Sequence, residues 1–139
     1  MINMTAAQHQ FLVAAARGDY PDECCGLIIG HKEKQDWIVD DLAASENQSP
    51  TPARNFEVDM RLRLALQKEL RGTGRGIIGH YHSHPGGDAT PSATDLKSAW
   101  EDDMVWIIMA VEDAEVMMSA AVYSDASNNF TEIDISLTD

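Results

Sequence analysis

Cysteine is scarce in this chain. Only two cysteines occur, Cys24 and Cys25, and they are adjacent. A vicinal pair does not staple a fold, and neighbouring strand side chains point to opposite faces. No C-x-x-C is present, which removes the usual spacing for redox or cysteine-metal chemistry. The pair reads as two small buried apolar side chains in a reducing cytoplasm. Long apolar runs are also missing: no segment approaches the ~18 residues of a membrane-crossing helix. Met1-Ile2-Asn3-Met4 has no basic region followed by an apolar run, so no secretory signal is expected. Positive charge is the third shortage. Ten Lys and Arg face 23 Asp and Glu, a net charge of -13. That balance argues against nucleic acid, which needs a basic patch, and against an anionic membrane surface. The acidity serves solubility, or attracts a partner with a basic face or tail.

What is present suits one globular domain spanning 1–139, with 44% hydrophobic and 24% charged residues. A core of this size needs no staple. Thr5-Ala6-Ala7-Gln8 has capping-box form and predicts a helix stopped by Gly18. Cys24 to Ile29 is an apolar run that predicts a buried strand, and Trp37 to Val39 a second. Ser45 to Asn55 is polar, carries Pro50 and Pro52, and predicts a loop. Phe56 to Val58 suggests a short strand, after which Asp59 caps a helix ending near Gly72. Ile77 to His84 is the next strand, and Ser92 opens a helix running to about Glu101. Met104 to Val111, Val116 to Tyr123 and Phe130 to Leu137 read as three closing strands with polar turns between them. Helices interspersed with strands, then a run of strands, predict an α/β or α+β layered domain around one mixed sheet. Antiparallel hairpins are expected at its C-terminal end.

The chemistry concentrates at His82-Ser83-His84-Pro85, followed by Ser92 and Asp95, with Glu23 far upstream. Residues i and i+2 of a strand share a face, about 7 Å apart at Cα, so two such histidines can share one metal. His80 alternates with them as well, but His80 and His84 would be roughly 13 Å apart in a straight strand. One of the three is therefore an outsider. Pro85 ends the strand and opens the loop toward Asp95, which favours His82 with His84 and leaves His80 as a support behind the ligands or a packed histidine. Asp95 has two readings. Ser92-Ala93-Thr94-Asp95 is a capping box that needs no metal, yet a rigid helix start is also a good place for a third ligand. Ser92 is either a plain N-cap or a donor to a developing oxyanion. Glu23 is either a solvated strand-end carboxylate or the general base beside a metal-bound water. Three protein ligands and one open position are the make-up of a catalytic zinc site.

Glu23, then H-S-H-P at 82–85, six residues, Ser92, two residues and Asp95 resembles the JAMM (MPN+) metalloprotease motif at every fixed position. Glu23-Cys24-Cys25-Gly26-Leu27 is similar to that family's first strand. The resemblance implies an MPN fold, a central sheet flanked by helices and similar to cytidine deaminases. It implies zinc on His82, His84 and Asp95, Glu23 as general acid/base, and Ser92 as oxyanion stabiliser. It implies hydrolysis of a peptide or isopeptide bond, at the C-terminal tail of a ubiquitin-like or sulfur-carrier protein. Small stand-alone prokaryotic members are nearest in length. The compact segments Gly86–Pro91 and Glu101–Met104 favour tail processing over selection of ubiquitin-chain linkages. Phage-tail cell-wall peptidases and non-catalytic MPN scaffolds are the competing outcomes.

Overall fold

The computed structural model describes residues 1–138. The chain opens with a strand, β1 (Ile2–Thr5), and a helix, α1 (Ala6–Asp19). Thr5 caps α1 as expected: its hydroxyl accepts from the Gln8 N–H, and the Gln8 side chain accepts from the Thr5 N–H. An antiparallel pair follows, β2 (Cys25–Glu33) and β3 (Asp36–Ser45). Asp59 caps α2 (Met60–Glu69), which leads to β4 (Gly76–Pro85). Ser92 caps the short α3 (Ala93–Ser98). The rest is strand: β5 (Met104–Glu112), β6 (Glu115–Ser124), β7 (Asn129–Ile133) and β8 (Ile135–Thr138). No helix among the described residues is long and apolar enough to cross a membrane.

All eight strands form one mixed sheet in the order β7-β6-β5-β4-β2-β3-β1-β8. β4 and β5 are parallel, as are β1 with β3 and β1 with β8; the remaining pairs are antiparallel. The antiparallel run β5-β6-β7 matches the expected C-terminal hairpins. Four details differ from expectation. Ile2–Thr5 is a strand, with Ile2 and Met4 buried, because two non-local strands pair with it. The segment expected as a single closing strand is split by Asp134, and its halves sit at opposite ends of the sheet order. One continuous segment therefore joins both margins, and the sheet curls round on itself. Phe56–Val58 forms only a single bridge, Asn47 to Val58. The helix after Ser92 stops at Ser98, where Ala99 turns to extended backbone.

β5 explains how the layers are held. It is buried on both faces and reads as a continuous apolar run, as central strands do. Val105, Ile107, Met109 and Val111 join Leu12 and Ala16 of α1 in the main core. Met104 and Trp106 join Tyr123 in a second cluster, against which Phe56, Leu96 and Phe130 pack. β4 lies so close to β5 that a Cβ on Gly79 would stand 2.0 Å from the Val105 carbonyl oxygen. That proximity fixes the strand bearing the histidines.

Candidate metal and active site

β4 presents His80, His82 and His84 on one face by simple alternation. His80 stays apart from the cluster the other two make. Its ring packs against Trp106 with centroids 4.1 Å apart, and burial pushes its pKa down to about 3, so it is neutral. This agrees with its reading as a packed histidine. His82 is fully buried, and its ring stacks on Phe56 at 4.1 Å. His84 is half-buried, and its Nδ1 lies 2.8 Å from the Asp88 carbonyl oxygen. A carbonyl only accepts, so Nδ1 carries the proton and Nε2 of the neutral ring offers its lone pair inward.

Three donor atoms meet at one point. Nε2 of His82 and Nε2 of His84 are 3.0 Å apart. Asp95 Oδ2 lies 3.3 Å from the first and 3.2 Å from the second. Ligands held 2.0–2.1 Å from a tetrahedral zinc would be spaced about 3.3 Å apart. The triangle matches that spacing, and its chemistry of two imidazoles and a carboxylate suits a divalent cation. Burial opposes the Asp95 anion, but the two imidazoles beside it and the Ser92 N–H hold its carboxyl below the usual carboxylate range. The His82 pKa is lowered, chiefly by burial. Burial also works against the His84 cation, but Asp95 and the Asp88 carbonyl outweigh it and raise the pKa.

Asp95 keeps its capping role at the same time. Its Oδ2 accepts from the Ser92 N–H at 2.9 Å, and the Ser92 hydroxyl accepts from the Asp95 N–H at 3.0 Å. The cap does not exhaust the group, because a carboxylate offers about four lone-pair positions. Ser92 Oγ accepts the cap bond and retains its own O–H to donate.

Glu23 lies two residues before β2, and its carboxylate reaches the same place: one oxygen lies within 4.8 Å of both imidazole nitrogens. It is buried, not solvated, and burial lifts its pKa to about 7, with His84 lowering and Asp95 raising it further. Its position is clamped at the backbone. The Glu23 N–H donates to the Pro52 carbonyl at 2.8 Å, and Asn47 Nδ2 donates to the Glu23 carbonyl at 3.0 Å. Ser83, between the two histidines, points the other way and accepts from the Cys24 N–H at 2.8 Å. It ties the start of β2 to β4, and so ties Glu23 to the histidines.

Glu23, Phe56, His84, Ser92 and Asp95 line a cavity of about 460 Å³, with Arg54 from the loop before α2 on its wall. Phe56, Asn47 and Ser83 were not among the candidates read from the sequence. Ser83 had a signal, its place within H-S-H on the opposite strand face. Asn47 had a weaker one, since its Oδ1 accepts from the Ser49 N–H, a local turn common for Asn. Phe56 stacks only through tertiary contact.

The family model described as prokaryotic homologues of the JAB domain matches residues 5–123. The desampylase of Haloferax volcanii is 31% identical over 93 residues, 67% of this chain and 66% of that protein. The CysO-cysteine peptidase of Mycobacterium tuberculosis is 29% identical over 102 residues, 73% of this chain and 68% of that one. The matched stretch thus spans about two thirds of each relative. A solution structure of a Desulfitobacterium hafniense protein superposes with a TM-score of 0.87 at 28% identity, covering 100% of this chain and 94% of that chain. The JAB1/MPN domain protein of Archaeoglobus fulgidus shares the fold, with a TM-score of 0.60 at 18% identity over 99% and 98% of the two chains. The sheet, the donor triangle and the sequence matches agree: this chain belongs to the family of prokaryotic JAB-domain homologues.

Proposed function

We propose that this protein is a zinc-dependent peptidase or isopeptidase acting at the C-terminal tail of a ubiquitin-like or sulfur-carrier protein. The observation that carries the reading is the triangle of His82, His84 and Asp95 donors, 3.0–3.3 Å apart, with the Glu23 carboxylate beside it. His82, His84 and Asp95 would hold the metal. Bound there, zinc supplies a Lewis acid that lowers the pKa of its water toward ~7 and polarises a carbonyl. Glu23, with its pKa near 7, takes a proton from the attacking water and returns it to the departing amine. The Ser92 hydroxyl donates to the developing oxyanion. Phe56 and the Asp88 carbonyl hold the two rings in place. The substrate class is supported by the names of the relatives, a desampylase and a CysO-cysteine peptidase.

Glu23→Gln tests the reading on a ubiquitin-like carrier fused through its C-terminus to a reporter. Metal content should match wild type, while cleavage falls about 10²–10⁴-fold, the usual worth of general acid/base catalysis. Cleavage at near the wild-type rate would remove Glu23 from its role.

A further inference from the structure

The loop between β3 and α2 gathers on one side chain. Asn47 Nδ2 donates to the Glu23 and Asn55 carbonyls, both at 3.0 Å. Its Oδ1 accepts from the Ser49 N–H at 3.0 Å and from the Glu57 N–H at 3.1 Å. A primary amide has two donor hydrogens and two acceptor lone pairs, and this one spends them all. Two partners are carbonyls and two are N–H groups, so a single orientation of the amide satisfies them. Aspartate has the shape but no N–H to donate, and glutamine has the groups on a longer stem.

These bonds reach beyond the loop. Asn55 and Glu57 flank Phe56, whose ring stacks on His82. Glu23 lies outside the loop, yet both of its backbone groups are held by it. The Glu23 N–H donates to the Pro52 carbonyl, and the Glu23 carbonyl accepts from Asn47. The next N–H along, that of Cys24, donates to Ser83 between the two histidines. No group among the described residues hydrogen-bonds the Glu23 carboxylate, so its aim is set through this backbone. The loop has a closure that does not use the Asn47 amide, because the Gln48 N–H donates to the Glu57 carbonyl at 2.9 Å. Asn47 does not line the catalytic cavity, so it acts through Glu23 and not on a substrate.

We propose that Asn47 is a positioning residue for the hydrolysis: it locks the backbone of Glu23 and the loop bearing Phe56 into one unit, which keeps the base at a fixed place beside the His82 ring. The proposal rests on Glu23 acting as the base. A base displaced by about 1 Å can cost ~10²-fold in rate.

The test uses the full chain, metal-loaded for cleavage of the carrier–reporter fusion and metal-free for amide hydrogen exchange. Asn47→Asp keeps the acceptors for Ser49 and Glu57 and loses both donors. Its kcat should fall about 10–10²-fold with KM within about threefold of wild type, because only the aim of the base is disturbed. In a Glu23→Gln background the same change should cost less than about twofold, since residues acting through one group are not additive. Exchange at the Glu23 amide should quicken about fivefold, the worth of one hydrogen bond, while the Ser49 and Glu57 amides stay protected. Asn47→Ala adds no charge beside the two carbonyls and serves as the second variant, with the same kinetic loss and faster exchange at all three amides. Wild-type kcat in either folded variant, full additivity with Glu23→Gln, or unchanged exchange at Glu23 would each overturn the proposal. So would loss of folding in both variants, which would make Asn47 a residue of the fold alone. Cleavage by Glu23→Gln at the wild-type rate is a separate outcome: it ends the reading of Glu23 as base, and this proposal with it.

Discussion

Two capping boxes in this molecule are alike in geometry and unlike in use. At the start of α1, Thr5 and Gln8 exchange bonds of 3.0 and 2.9 Å. At the start of α3, Ser92 and Asp95 exchange bonds of 3.0 and 2.9 Å. The first box opens a helix of 14 residues that buries Leu12 and Ala16. The second opens one of 6 residues whose buried member is Asp95 itself. So short a helix has little stability of its own. Its box serves to aim a carboxylate: the Ser92 N–H fixes one oxygen and so turns the group toward two imidazoles. The neutral amide of Gln8 does no such work, and its Nε2 bonds instead to the Val39 carbonyl. The same four-residue motif ends in an amide that bonds to β3 under α1, and in an anion that faces the imidazoles of β4 under α3.

Mutations at three of these positions break or sharpen this contrast. The largest effect is expected from Asp95→Ala. It removes a donor and the cap together, so elemental analysis should find the metal largely lost. Turnover should drop at least ~10³-fold, since the Lewis acid is worth several kcal/mol. Asp95→Asn comes next and separates the roles. The amide oxygen can still accept from the Ser92 N–H, so circular dichroism of metal-stripped protein should match wild type while metal affinity and cleavage fall steeply. Retained metal in Asp95→Asn would mean that the charge is not what the second box supplies. Ser92→Ala should keep the metal and lower kcat about 10²–10³-fold, as for loss of one oxyanion donor. It also loses a cap, which costs about 1 kcal/mol. The smallest effect belongs to the first box. Thr5→Ala should lower stability by about 1 kcal/mol, a thermal shift of roughly 3–5 °C, with kcat unchanged. A kinetic defect in Thr5→Ala would erase the distinction between the boxes.

Much of this site was legible because strand alternation and helix capping are local rules. His82 and His84 share a face at any strand twist, and Ser92 with Asp95 has the spacing of a helix start. The place of Asp95 was harder to read, since sequence spacing presents capping and ligation as rivals. The atoms show that one carboxylate has acceptor positions for both. β1 left no signal of its own. Four residues carry little periodicity, and both of its partners, β3 and β8, are distant in the chain. The break at Asp134 is likewise a long-range matter, because only the curl of the sheet requires the segment to leave β6 and join β1. Phe56 stands in a polar stretch, and its stacking on His82 depends on how the loop before α2 folds over β4.

The segment from Asn129 to Thr138 has one more consequence. By bordering the sheet with two short stretches of 5 and 4 residues, it keeps the outermost strands short, which makes them poor templates for a foreign strand. A chain with this much β-structure thereby gains protection from runaway stacking through its topology, in addition to the mutual repulsion that its surplus of carboxylates provides.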